Sequence, residues 1–207
     1  MHPTRRQMLA ASGLLLSTTA TPWAARAQGP AAPVMPDPRM AERGEGLASA
    51  KHVEEWFSFT CSHCARFAAD VFPQVKAKLI DTGKIRFVFR EYPRDQIDLM
   101  AAMVARSLPP ERYEPFMSEL LRTQMRWAFD RSVEPKDELA KMAALAGMPR
   151  DMFDRVIADD GLRTAILAAQ TEAEKKYNIE STPTFVIAGQ VHSGEVNLDT
   201  FTSWVTA

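Results

Sequence analysis

The sequence predicts an α/β fold that carries an inserted all-helical subdomain. Three observations predict it. Residues 53–92 read as strand, helix and strand, and a helix joining two strands is a crossover unit that makes them parallel. Residues 95–177 then carry helical patterns only. Two short strands and a helix close the chain from residue 184 onward, completing the sheet that the first two strands begin.

The first 27 residues do not read as fold. Thr4-Arg5-Arg6-Gln7-Met8-Leu9 is a charged start with a twin arginine, followed by a mildly apolar run from Leu9 to Ala25 and the small-x-small pattern Ala25-Arg26-Ala27. This is the pattern of an export signal cleaved after Ala27. Its order and weak hydrophobicity resemble the bacterial twin-arginine route, with general secretion as the alternative. The run is too short and too polar for a membrane span. Export places the mature protein in the periplasm.

Of 25 basic and 26 acidic residues, the segment removes Arg5, Arg6 and Arg26 and no acid, leaving a net charge of −4. That balance gives no footprint for nucleic acid or a membrane surface. With 46% apolar and 25% charged residues, the remainder is ordinary globular sequence.

Residues 28–48 hold Pro30, Pro33, Pro36, Pro38, Gly29, Gly44 and Gly46, which predicts a flexible leader. Val53 to Phe59 is aromatic on both faces, as a central strand would be. A helix from about Cys61 to Ile80 follows, bent at Pro73 because the proline ring cannot sit in a straight helix interior. Lys84 to Tyr92 is the second strand. The insert reads as helices at Ile97–Ser107, Arg112–Phe129, Lys136–Ala146, Arg150–Ile157 and Leu162–Tyr177, separated by Pro109-Pro110, Pro135, Gly147 with Pro149, and Gly161. Its methionines, at 100, 103, 117, 125, 142, 148 and 152, read as flexible core filler. Thr184-Phe185-Val186-Ile187 and Val191-His192-Ser193 form a hairpin, and Asn197 caps a last helix from Leu198 to Val205.

The chemistry lies where the first strand meets its helix, at Cys61-Ser62-His63-Cys64. These are the only cysteines in the chain, so no second redox pair and no four-cysteine zinc site can be built. Cys61 stands at the helix start, where unpaired N–H groups and the helix dipole favour a thiolate. A protonated His63 would add to that and lower the Cys61 pKa further. Cys64 shares the apolar stripe of Phe67, Ala68, Val71, Val75 and Leu79, so it should be buried, less ionised and the resolving partner.

Ser181-Thr182-Pro183-Thr184-Phe185 precedes the third strand, and a proline there marks a strand's first residue. With this motif and the Cys-x-x-Cys strand and helix in order, the chain from about residue 45 to 207 resembles the thioredoxin-fold oxidoreductases. Within them it is similar to the bacterial periplasmic DsbA-like proteins. The resemblance implies a thioredoxin-like domain of residues 49–94 and 178–207 with a helical insertion at 95–177. It implies a cis Thr182–Pro183 bond beside the cysteines, with the Thr182 backbone pairing to substrate. It also implies that Glu55, with Glu54 as competitor, exchanges a proton with Cys64, and that the insert walls a substrate groove. Ser62 stands where the family usually has proline, so the redox poise is open.

The activity implied is donation of a disulfide to reduced, unfolded exported proteins through a mixed disulfide at Cys61. A membrane redox partner would re-oxidise the pair, and no cofactor is called for. A reductase or isomerase of the same fold is the alternative reading. Metal binding by Cys61, His63 and Cys64 is the alternative from another class, disfavoured because three ligands within four helical residues cannot all reach one ion.

Overall fold

The computed structural model describes residues 36–207. The export signal and the first residues of the leader lie outside the described residues. A five-stranded sheet runs in the order β1-β3-β2-β4-β5. Its strands are β1 Arg43–Glu45, β2 Lys51–Phe57, β3 Ile85–Glu91, β4 Thr184–Ile187 and β5 Gln190–Ser193. β2 is central, parallel to β3 as the crossover requires and antiparallel to β4. β4 and β5 form the expected hairpin. Among the described residues no helix is long and apolar enough to cross a membrane.

The expectation of a flexible leader through residue 48 is corrected over its described part. Pro38–Met40 is a 3-10 turn capped by Asp37, and β1 pairs antiparallel with β3. Glycine misled here because it serves close approach: a Cβ on Gly44 would lie 2.6 Å from the Phe87 carbonyl oxygen. The leader is also tied from beneath. Arg106 Nη1 donates to the Ala41 carbonyl at 2.8 Å, while its guanidinium pairs with the buried Glu91, which accepts from Tyr113 at 2.6 Å.

The active-site helix runs over residues 62–80, and the bend expected at Pro73 takes the form of a change in winding. Phe67–Val71 and Lys76–Ile80 are π-helical turns flanking an α-helical Phe72–Val75. A wider turn just before a proline keeps its ring off the carbonyl four residues back. The apolar stripe points inward at Phe67, Val75 and Leu79, while Ala68 and Val71 are half-buried and Phe72 takes an inward place instead. Cys64, Phe67, Phe72, Val75 and Leu79 are buried against Phe87 and Phe89 of β3 and Phe185 of β4, with Phe67 and Phe185 ring centroids 4.8 Å apart.

The insert is helical throughout, in helices Gln96–Ser107, Pro110–Arg122, Gln124–Trp127, Pro135–Leu145, Arg150–Ile157 and Asp160–Tyr177. The helix expected over 112–129 is broken at Thr123, whose hydroxyl donates to the Glu119 carbonyl and closes the first segment. The methionines fill core, with Met103, Met117 and Met148 buried, except that Met125 is 70% exposed. Asn197 caps the last helix, Leu198–Thr206, through Thr200 N–H.

Candidate functional site: the dithiol and its surroundings

β2 ends at Phe57, and Ser58, Phe59 and Thr60 turn the chain into the active-site helix. Cys61 is the residue capping that helix. Its backbone is extended, and its carbonyl accepts from Ala65 N–H at 3.1 Å. Cys61 and Cys64 are both free thiols and both buried. The Thr182–Pro183 peptide is cis, as expected, and brings Thr182 onto the dithiol. The Cys61 thiol donates to the Thr182 carbonyl at 3.3 Å.

The two sulfurs are driven apart in acidity. Cys61 is lowered to about 4, first because the Cys64 thiol donates to its thiolate. Burial opposes this, and the Thr182 side chain with the Cys64 and His63 backbone N–H groups adds to it. The Thr182 hydroxyl is buried with no hydrogen-bond partner among the described residues. Cys64 is pushed well above the usual thiol range, first by burial, then by its bond to Cys61 and the charge of Glu55. Opposite shifts on adjacent groups separate a thiol that ionises readily from one that holds its proton.

Glu55, four per cent exposed on central β2, is raised to about 8 by burial and then by the Cys61 thiolate. Of the two acids considered, it is the one placed near the dithiol. Glu54 points the other way, its carboxylate accepting from Arg90 at 3.0 Å and from the Trp56 indole N–H at 3.2 Å. A strand alternates faces, so neighbours cannot share one role.

Ser62 and His63 lie between the two cysteines. Both are exposed on the first helical turn. His63 Nδ1 lies 2.6 Å from Glu195 Oε1 and 2.7 Å from Arg66 Nη2, and Glu195 also pairs with Arg66. The help that Cys61 receives from His63 therefore comes through its backbone N–H, while the imidazole is held by the Glu195 carboxylate. Arg66 and Glu195 were missed by sequence reasoning. They are 129 residues apart, and nothing local signals their meeting.

Beside the dithiol the surface opens into a groove of about 370 Å³ bounded by His63, Arg66, Phe67, Asp70, Glu195 and Asn197. These residues come from the active-site helix and the segment before the last helix, and the insert contributes none of them. Among the described residues no three His, Cys, Asp or Glu side chains are gathered to hold a metal ion. The reading of Cys61, His63 and Cys64 as a metal site thus gains no support.

A thioredoxin family model matches residues 41–207. A Rickettsia conorii protein described as a candidate protein-disulfide oxidoreductase is 33% identical over 155 residues, 74% of this chain and 54% of that protein. The chain thus spans about half the length of the Rickettsia relatives it matches. The thiol:disulfide interchange protein DsbA of Bordetella parapertussis is 27% identical over 92% of this chain and 86% of its own. Among solved structures, Wolbachia pipientis alpha-DsbA1 superposes with a TM-score of 0.73 at 29% identity, covering 84% of this chain and 92% of that one.

Proposed function

Since the chain belongs to the thioredoxin family and is DsbA-like in fold, we propose that it is a thiol:disulfide oxidoreductase that donates the Cys61–Cys64 disulfide to reduced exported proteins. One observation carries this reading: the Cys61 thiolate is stabilised to about 4 while Cys64 is held protonated. A dithiol whose reduced form is so stabilised is a strong oxidant, because electrons entering it are held there.

The geometry supports the following steps. A substrate thiolate attacks Cys61 Sγ, the Cys61–Cys64 bond breaks, and the electron pair remains on Cys64 Sγ. Glu55, protonated at neutral pH, supplies the proton that Cys64 then takes, since its own shift couples to Cys61 and its charge is felt by Cys64. A second substrate thiolate attacks the substrate sulfur of the mixed disulfide, and Cys61 leaves as a stabilised thiolate. The substrate is oxidised by two electrons and the protein reduced by two. Thr182 and Pro183 line the approach, with the Thr182 backbone pairing to an extended substrate segment. Ser62 and His63 shape the exposed side of the pair.

Residues 49–94 and 178–207 form the exchange domain and 95–177 its helical insertion. The export signal over residues 1–27 places the work in the periplasm, where a membrane redox partner re-oxidises the pair. The test is the equilibrium potential of the Cys61/Cys64 pair against glutathione, with oxidation of a reduced peptide in the same samples. A strongly oxidising potential and a disulfide formed in the peptide support a donor. A potential near the reducing end of the family's range would make the protein a reductase or isomerase.

A further inference from the structure

On the side of the insert, the turn before Cys61 is fixed through its backbone. The Phe59 N–H donates to Asp98 at 2.8 Å, the Phe59 carbonyl accepts from Gln124 at 2.7 Å, and the Ser58 hydroxyl donates to Asp98 at 2.5 Å. On the side of the groove the neighbours of Cys61 are side chains, and one residue from the segment before the last helix pins them.

That residue is Glu195, and the segment that carries it is anchored at both ends. The Gly194 N–H donates to the Pro183 carbonyl at 2.8 Å, and Asn197 caps the last helix by accepting the Thr200 N–H at 2.9 Å. Gly194 has φ +96°, a left-handed conformation that glycine takes freely, and a Cβ there would meet nothing within 4 Å. The position calls for glycine because of the direction its backbone takes, not because of crowding. That direction delivers Glu195 to the active-site helix.

Glu195 uses one carboxylate oxygen on two side chains of that helix. Oε1 lies 2.6 Å from His63 Nδ1 and accepts from Arg66 Nε at 2.6 Å, while Arg66 Nη2 stands 2.7 Å from the same imidazole nitrogen. An arginine only donates, so Nδ1 either accepts from Arg66 or donates to Glu195. Either way that nitrogen is occupied within the cluster. Among the described residues the His63 ring is hydrogen-bonded to Glu195 and Arg66 alone, although His63 stands two residues into the helix that Cys61 caps. All three side chains are about half exposed, and ion pairs so exposed add little to stability. What the cluster fixes is orientation.

We propose that Glu195 is a positioning residue that tempers the oxidising strength of the dithiol, by holding the His63 imidazole on itself and so withholding it from the Cys61 thiolate. The inference rests on the disulfide-exchange reading. When glutathione reduces the pair, two glutathione thiols become one glutathione disulfide and their two electrons open the Cys61–Cys64 bond. One of the two protons goes to Cys64 and the other to water, which leaves Cys61 as the thiolate. The thiolate exists only in the reduced form, so a donor that reaches it favours reduction. An imidazole kept on Glu195 does not reach it. Arg66 has a second carboxylate to turn to, Asp70, four residues on and lining the same groove. His63 is therefore the side chain that loss of Glu195 releases.

The experiment is Glu195→Ala in the wild-type and His63→Ala backgrounds, reading the equilibrium constant with glutathione and the Cys61 midpoint by thiolate absorbance. In the wild-type background the constant for reduction should rise by about threefold, the scale of one exposed polar contact, and the midpoint should fall. In the His63→Ala background both should stay where His63→Ala alone puts them. An unchanged or lower constant in the wild-type background overturns the proposal. So does a rise that persists without His63, which would mean that Glu195 acts by its own charge or through Arg66. A rise with no fall in the midpoint overturns it too, because the effect would not run through the thiolate. If Glu195→Ala does not fold, Glu195→Gln takes its place with the same outcomes. A wild-type protein that equilibrates with glutathione but fails to oxidise a reduced peptide would sink the donor reading and leave this inference standing.

Discussion

Cys61 and Thr182 stand 121 residues apart in sequence, and the Cys61 sulfur lies 3.3 Å from the Thr182 carbonyl oxygen. The contact places the Cys61 thiol against the peptide that opens β4. The Thr182 hydroxyl is buried without a partner among the described residues, and the Thr182 side chain helps to lower Cys61. Thr182→Val keeps the shape and removes the hydroxyl. It should raise the Cys61 midpoint by up to about one pH unit and make the potential less oxidising. Thiolate absorbance against pH checks the first and glutathione equilibration the second; an unmoved midpoint would remove the hydroxyl from the account.

The same contact shows what was legible in the sequence. Both motifs could be read locally, because a cysteine at a helix start and a proline before a strand each carry a short-range signal. The sheet was legible from alternation and crossover, and β2 is central as its aromatic faces required. Asp98, Gln124, Arg66 and Glu195 were not legible, because their partners are 40, 65, 129 and 129 residues away and their own neighbourhoods read as ordinary helix or loop. Gly44 was misread for a related reason. Glycine signals both looseness and tight approach, and only the opposing strand tells which.

Removing the Cys64 thiol should undo much of the Cys61 acidity, since its hydrogen bond is the leading cause of the lowered value. Cys64→Ala is expected to move the Cys61 thiolate midpoint upward by one unit or more from about 4. Ultraviolet titration of the reduced single-cysteine protein measures it. A midpoint still near 4 would shift the credit to the helix start and its N–H groups.

Stability should depend on redox state and pH together. Cys61 has a folded pKa below its unfolded one, so its contribution is present above the unfolded pKa and is lost as pH falls through about 4. The disulfide form has no such thiolate. Reduced protein should therefore gain on oxidised protein between pH 4 and pH 7, by roughly 2–3 kcal/mol once solvent screening is allowed for. Urea unfolding of both forms at the two pH values tests this, and a gap that narrows with rising pH contradicts it.

Glu55 has the opposite sign. Its folded pKa, about 8, is above the unfolded value, so its contribution is present below the unfolded pKa and is lost as pH rises through 8. Glu55→Gln should thus stabilise the protein at pH 9, by on the order of 5 kcal/mol, and hardly at pH 4. It should also slow exchange by tenfold or more, because the proton for Cys64 is gone. A variant that is more stable at pH 9 but exchanges at the wild-type rate would keep the electrostatics and dismiss the relay.

The Arg106–Glu91 pair tests how the leader is bound. Arg106 is one per cent and Glu91 four per cent exposed, and the guanidinium also donates to the Ala41 carbonyl. Arg106→Met removes the only cation that pairs with Glu91 among the described ion pairs and leaves that carboxylate with the Tyr113 hydroxyl. Breaking one side of a buried pair costs about 3–5 kcal/mol, whereas replacing both sides with uncharged groups is often nearly neutral. Glu91→Gln in the Arg106→Met background should therefore recover much of the lost stability in urea unfolding. It should not recover the Ala41 contact, so amide exchange over Arg43–Glu45 should stay faster than wild type in both variants. Full recovery of that protection would mean that β1 is held by its pairing with β3 alone, and that the arginine serves only the carboxylate beneath it.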